Sequence, residues 1–166
     1  SVFSVSKGMG LSGFRVGYVV SDDHIMDSLY GACVSVLGAT NTAAQIGAIA
    51  ALKDTSFVQK YKEIYDGRRK YAYELFNSIP GVSMLMPESG FYSWIDVSGL
   101  GDSTKISEFL IEDAKVAVND GKTYGREGSG HLRVIHGALL HQDQAFDALL
   151  RMKKSLEKLA KNKGLI

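Results

Sequence analysis

Ser4-Val5-Ser6-Lys7-Gly8-Met9-Gly10-Leu11-Ser12-Gly13-Phe14-Arg15-Val16-Gly17 is the stretch on which the reading of this chain turns. Ser1 to Val5 alternates polar and apolar residues at period two, and Phe14 to Val20 is a second β-rich run. A glycine-rich loop over Lys7 to Gly13 therefore joins two strands. Gly8, Gly10 and Gly13 spell G-x-G-x-x-G, but a dinucleotide fingerprint needs a helix after its glycines, with the helix N-terminus facing the pyrophosphate. A strand follows here, which argues against that reading. The flanking residues say more: two hydroxyls, Ser4 and Ser6, the Lys7 amine and the Arg15 guanidinium share one short segment. Hydroxyls and arginine donate to phosphate oxygens, arginine with a planar fork, and glycines let backbone turn closely around a ligand. Lys7 is then left for covalent work, since a deprotonated lysine amine attacks a carbonyl, a state favoured by burial or a neighbouring cation.

An aldehyde cofactor carrying a phosphate would satisfy every one of these groups. Written as Ser4-x-Ser6-Lys7, a spacer, and Gly13-x-Arg15-x-Gly17, the segment resembles the signature of the class I and II aminotransferases, pyridoxal-phosphate enzymes of fold type I. The resemblance implies that Lys7 forms the internal aldimine and carries the proton of the 1,3-prototropic shift. Ser4 and Arg15 would bind the cofactor phosphate, with Ser6 helping. Downstream, Ala39-Thr40-Asn41-Thr42-Ala43-Ala44-Gln45 is similar to the family segment after the phosphate loop, and Gly90-Phe91-Tyr92 to its G-x-F-Y strand. His131-Leu132-Arg133-Val134 resembles the strand whose arginine grips the substrate α-carboxylate, which makes Arg133 the substrate-binding candidate. Taken alone, a strand arginine such as Arg133 reads more readily as half of a structural salt bridge. Many relatives have P-G-x-x-F-G before that strand, whereas this chain has Asp120-Gly121-Lys122-Thr123-Tyr124-Gly125, which leaves room for a different substrate preference.

The fold class implied is α/β, the C-terminal portion of a fold type I transferase. Residues 1–53 would be the end of the large cofactor-binding domain, 54–79 a connecting helix, and 80–166 a small α/β domain with a short, mainly antiparallel sheet. The resemblance also implies amino acid and 2-oxo acid substrates and a homodimer in the full-length enzyme. Family members draw an acid for the pyridine nitrogen and a ring-stacking aromatic from an upstream half, and neither can be assigned here. A ring without its acid partner is a poor electron sink, so the chain alone is expected to be weak or inactive. A lyase, decarboxylase or synthase of the same fold would use the same Lys7, Ser4 and Arg15. A non-catalytic piece that packs or dimerises is the rival from outside enzymology.

Composition agrees with a globular protein. The chain has 166 residues, 45% of them hydrophobic and 22% charged, which excludes disorder and a collagen-like repeat. Nineteen Lys and Arg against 18 Asp and Glu leave a formal charge of +1, so no global field favours nucleic acid or anionic lipid. No apolar run is long enough to span a bilayer. The single cysteine, Cys33, rules out an internal disulfide framework and suits a reducing compartment, with the cytoplasm as the expected location.

Periodicity predicts a short helix from Asp22 to Gly31, and a buried, alanine-rich helix over Ala43 to Leu52 capped by Asn41-Thr42. The longest helix should run from Ser56 to Ile79, ended by Pro80-Gly81. Short strands are expected at Val82 to Met86, Phe91 to Val97, Val116 to Val118 and His131 to Ile135. Further helices should cover Thr104 to Ala114 and Gln142 to Lys161, the latter with Leu149, Leu150, Met152, Leu156 and Leu159 inward. Arg68, Arg69 and Lys70 read as a solvated or subunit-facing surface, and Cys33 as a small buried residue. His131, His136 and His141 recur every five residues, but on a strand they alternate faces, so no metal site is expected.

Overall fold

In a computed structural model that describes all 166 residues, the chain folds as two compact units, Ser1–Tyr61 and Lys62–Ile166. In the first, β1 (Val2–Ser4) and β2 (Gly17–Val19) pair antiparallel, with Val2 opposite Val19 and Ser4 opposite Gly17. Both strands are shorter than the pattern suggests, because Ser12–Phe14 closes a 3-10 turn and Arg15 takes the left-handed conformation, φ 54°. Gly17 is required where it stands, since a Cβ there would lie 2.7 Å from the Phe3 carbonyl oxygen.

Helix α1 (Asp23–Val36) runs straight through Gly31, whose cost of about 1 kcal/mol does not end a helix. It stops where the Leu37 and Gly38 amides both donate to the Cys33 carbonyl, with Gly38 left-handed. No residue of α1 is buried, so Cys33 is exposed rather than packed as expected. Helix α2 (Thr42–Lys53) is capped as the sequence suggests: the Asn41 side-chain oxygen accepts from the Ala44 amide at 3.0 Å. Its burial is confined to Ala44 and Ala48, one helical turn apart, while Ile46 and Ile49 face solvent. The expectation of a buried helix holds only for that stripe.

Helix α3 (Ser56–Asn77) carries the chain from the first unit into the second. The Asn77 side chain finishes it by bridging to the amide and carbonyl of Met84, each at 3.0 Å. The second unit holds one antiparallel sheet in the order β3-β4-β6-β5, from β3 (Ser83–Met84), β4 (Tyr92–Asp96), β5 (Asn119–Asp120) and β6 (His131–Ile135). Opposite residues share a face of a sheet. The register Ser93 to Val134 and Ile95 to Leu132 therefore makes the core face, and Trp94 to Arg133 and Asp96 to His131 the other. Onto the core face pack Ala72 and Phe76 of α3, Ile106 of α4 (Ser103–Phe109), and Leu149, Met152 and Leu156 of α5 (Gln142–Asn162).

Three expectations need correcting here. Leu150 of α5 is exposed, because it falls outside the stripe that Leu149, Met152 and Leu156 define. The helix expected to reach Ala114 passes at Leu110 into a single π-type turn, and the edge strand forms at Asn119–Asp120 instead of Val116 to Val118. Arg68 is buried at 1% exposure, not solvated: its guanidinium donates to the carbonyls of Leu139 at 2.6 Å, Leu140 at 3.3 Å and His136 at 3.4 Å. A buried guanidinium must be hydrogen-bonded, and this one satisfies three carbonyls of the segment that follows β6. No helix is long and apolar enough to cross a membrane.

Candidate active site

The hairpin of the first unit gathers Ser4, Ser6, Lys7 and Arg15. Pairing of Ser4 with Gly17 sets the two ends of the loop side by side, two residues from Arg15. Val5, only 1% exposed, anchors the ascending arm, and its carbonyl accepts from the Leu11 amide at 3.3 Å. The Ser4 hydroxyl accepts from the Ser6 amide at 3.1 Å, which fixes the first turn after the strand. Gly10, at φ +67°, donates to the Lys7 carbonyl and closes a tight turn whose two ends are Lys7 and Gly10. Arg15 donates through Nη1 to the Ser12 carbonyl at 3.0 Å and, like Lys7, is exposed. Nothing lies within 4 Å of the side-chain positions that Gly8, Gly10 and Gly13 leave empty. The loop thus carries two hydroxyls, a guanidinium and an amine beside glycines with open space at their Cβ positions, residue types that fit an aldehyde bearing a phosphate.

Arg133 sits in the second unit, at the middle of β6. Its Nη2 donates to the Asn119 side-chain oxygen at 3.1 Å, across the β5–β6 pair in which these two residues face each other. The guanidinium carbon stands 4.7 Å from the Tyr92 ring centre and 4.8 Å from that of Tyr124. Its Nε is buried with no hydrogen-bond partner, and Arg133 belongs to none of the six ion pairs of the chain. A structural salt bridge, the bland reading of a strand arginine, is absent.

The Asp120-Gly121-Lys122-Thr123-Tyr124-Gly125 segment, where many relatives place a proline first, is built around the Asp120 carboxylate. It accepts from the Ser103 hydroxyl at 2.7 Å, the Thr104 hydroxyl at 2.6 Å and the Lys122 amide at 3.2 Å. Burial pushes the Asp120 carboxyl up, but the bonds from Thr104, Ser103 and Lys122 outweigh it and hold it below the usual carboxylate range. Lys122 also donates to Asp102 at 2.5 Å, and that bond, with the Lys105 amide, draws the Asp102 carboxyl down to about 2. Gly121 and Gly128 press together so closely that a Cβ on Gly128 would lie 1.9 Å from the Gly121 carbonyl oxygen. Tyr124 is thereby carried on a braced loop.

The three histidines occupy separate settings. His131 stacks on Trp94 at 5.4 Å with an interplanar angle of 16°, His136 is buried, and His141 is exposed at the start of α5. No group of three His, Cys, Asp or Glu is placed to share a metal ion. The His136 Nδ1 lies 3.0 Å from the Ser93 hydroxyl, and burial, with the nearby Arg68 and Arg69 charges, pushes the imidazole down to about 4. Asn119, Tyr92 and Tyr124 were not singled out from sequence as partners of Arg133. The motif containing Tyr92 and the departure containing Tyr124 were visible, but their shared contact with Arg133 depends on strand register.

The chain spans about two fifths of the length of the curated relatives it matches. It is 31% identical over 158 residues to an aspartate aminotransferase of Pyrococcus horikoshii, an alignment covering 93% of this chain and 40% of that protein. The crystal structure of an aromatic aminotransferase from Pyrococcus horikoshii superposes with a TM-score of 0.83 at 27% identity, over 99% of this chain and 43% of that one. Cystalysin from Treponema denticola, solved with a pyridoxal 5'-phosphate cofactor, has the same fold, with a TM-score of 0.82 at 19% identity over 95% of this chain and 41% of that one. The fold is accordingly that of the fold type I pyridoxal-phosphate transferases. Because residues 1–150 match the family model for aminotransferase class I and II, from the Ser4–Arg15 loop through the Arg133 strand, the chain belongs to the class I and II aminotransferases.

Proposed function

We propose that residues 1–166 are the C-terminal part of a pyridoxal-phosphate-dependent aminotransferase that moves an amino group between an amino acid and a 2-oxo acid. In this reading 1–53 close the large cofactor-binding domain, 54–79 connect, and 80–166 form the small domain. The observation that supports it is the hairpin whose pairing of Ser4 with Gly17 closes one glycine-rich loop carrying Ser6, Lys7 and Arg15. Pyridoxal phosphate, when bound, supplies an aldehyde that captures amines and a ring that accepts the electrons of a broken Cα bond. Ser4 and Arg15, helped by Ser6, would hold its phosphate, the Lys7 amine would be the group that meets the aldehyde, and the same Nζ, when free of it, would hold and move the proton. Arg133 offers its remaining donors to the α-carboxylate of the substrate. The full-length enzyme is proposed to be a cytoplasmic homodimer.

Borohydride reduction of the full-length enzyme with pyridoxal phosphate, followed by peptide mapping, should place the added mass on Lys7. A Lys7→Ala protein that still fixes the cofactor on a lysine would show the assignment wrong. Arg133→Ala should raise KM for amino acid and 2-oxo acid alike by the equivalent of about 2 to 5 kcal/mol, the cost of truncating one partner of a buried charge pair. Arg15→Ala should instead weaken cofactor binding and spare carboxylate recognition once the cofactor is saturating.

A further inference from the structure

An arginine that must meet an incoming carboxylate faces two conflicting needs. Its long side chain loses rotamer freedom on being fixed, so it gains from being held in place before the anion arrives. The usual holder, an aspartate or glutamate, would neutralise the charge and compete with the ligand. Arg133 has no such carboxylate partner. Two aromatic rings and one amide oxygen contact it instead: Tyr92 at 4.7 Å, Tyr124 at 4.8 Å, and Asn119 through Nη2 at 3.1 Å. Ring faces attract a guanidinium through their quadrupole without cancelling its net charge.

We propose that Tyr92 and Tyr124 are positioning residues that hold the Arg133 fork in its receptive orientation and leave its charge uncompensated, an inference that rests on reading Arg133 as the carboxylate site. Tyr92 reaches it from β4, whose Trp94 lies directly opposite Arg133, so the approach is fixed by strand register. Tyr124 comes from the loop that Asp120 and the Gly121–Gly128 contact brace. Trp94 stands edge-on to Tyr124, with ring centres 5.9 Å apart at 78°, and supports it from the sheet. With Nη2 engaged by Asn119 and Nε buried, the Nη1 side of the fork is what is left to meet an anion. The tyrosine of this departing loop is therefore part of how the carboxylate site is held, through its ring and not its hydroxyl.

Two measurements test this. In the 166-residue chain itself, NMR should find the Arg133 δ and ε protons shifted upfield by the two ring currents, and Tyr124→Leu should remove a large part of that shift. In the full-length enzyme, Tyr124→Leu should raise KM for both amino acid and 2-oxo acid about tenfold, within the range of a cation–π contact partly withdrawn from water, while kcat changes less than about twofold. Tyr124→Phe, which keeps the ring, should restore most of the lost affinity, and Tyr92→Leu should repeat the KM effect from the strand side. Unshifted Arg133 protons in the unsubstituted chain overturn the proposal without any variant. So does an unchanged KM in Tyr124→Leu when Arg133→Ala raises it, and in that case the carboxylate reading survives. A Tyr124→Phe enzyme as impaired as Tyr124→Leu assigns the effect to the hydroxyl and overturns it as well. If Arg133→Ala leaves KM unchanged, the carboxylate reading falls and takes the positioning role with it.

Discussion

Phe76 on α3 is fully buried, whereas Val36 on α1 is 80% exposed, although both lie on the apolar stripe of an amphipathic helix. The contrast extends through the two units. In Lys62–Ile166, residues from α3, β4, β6, α4 and α5 form one buried cluster. In Ser1–Tyr61 neither strand buries a residue, α1 buries none, and Val2, Val20, Tyr30 and Leu37 are all more than half exposed. Amphipathicity is a property of a segment, but burial needs a second surface to pack on. Large open apolar faces on a protein mark contact surfaces, ligand grooves or sites of aggregation. The matched curated relatives carry most of their length beyond the region this chain aligns with. Thus the unit with the cofactor-loop candidates leaves its apolar faces open, and the unit with Arg133 has its own core.

The largest effect expected from this contrast is on stability. Phe76→Ala should lower the unfolding free energy by about 3 to 5 kcal/mol, the usual cost of emptying an aromatic core site. Leu37→Ala, at an exposed position, should stay within about 0.5 kcal/mol. Urea denaturation followed by circular dichroism measures both, and equal costs would erase the distinction between the units.

A middle-sized effect concerns acid. The His136 imidazole titrates at about 4 in the folded chain against 6.5 when unperturbed, because burial and the Arg68 and Arg69 charges oppose its protonation. The unfolded chain therefore takes up the proton first as pH falls. Stability from this group is complete above pH 6.5 and is lost between pH 6.5 and about 4, by about 3 kcal/mol in all. His136→Asn should flatten the slope of unfolding free energy across that window, even if its stability at neutral pH is lower. A slope unchanged by the substitution would place the acid sensitivity on groups other than His136.

The smallest expected effect sharpens the comparison inside the second unit. Asp147 pairs with Arg151 at 2.9 Å on the exposed side of α5, where solvent screens the pair. Asp147→Ala should change stability by less than about 0.5 kcal/mol, readable as a melting temperature nearly unmoved. A larger loss would mean that the surface of this unit contributes on the scale of its core.

How much was legible differs by residue. The Ser4-x-Ser6-Lys7 and Arg15 arrangement was readable because its members are close in sequence and their spacing survives in any hairpin. The strand His131–Ile135 was found at its observed bounds, since alternation and β-branched content agree there. Arg68 was misread because a charged residue in a basic run carries no local sign that three backbone carbonyls, some 70 residues away, will surround it. Cys33 was misread for the opposite reason: composition favours burial, and the helix around it buries nothing.

By itself the sequence determined most of the segments and nominated the residues of the glycine loop and Arg133, because these follow from periodicity and from functional groups close together in the chain. Tertiary structure alone decided which arginine is buried and which kept clear of carboxylates. It also decided that Tyr92, Tyr124 and Asn119 meet at Arg133, and that one unit is cored while the other stays open. Those outcomes depend on strand register and on packing between distant segments, where the free energy of a side chain is set by its neighbours in space.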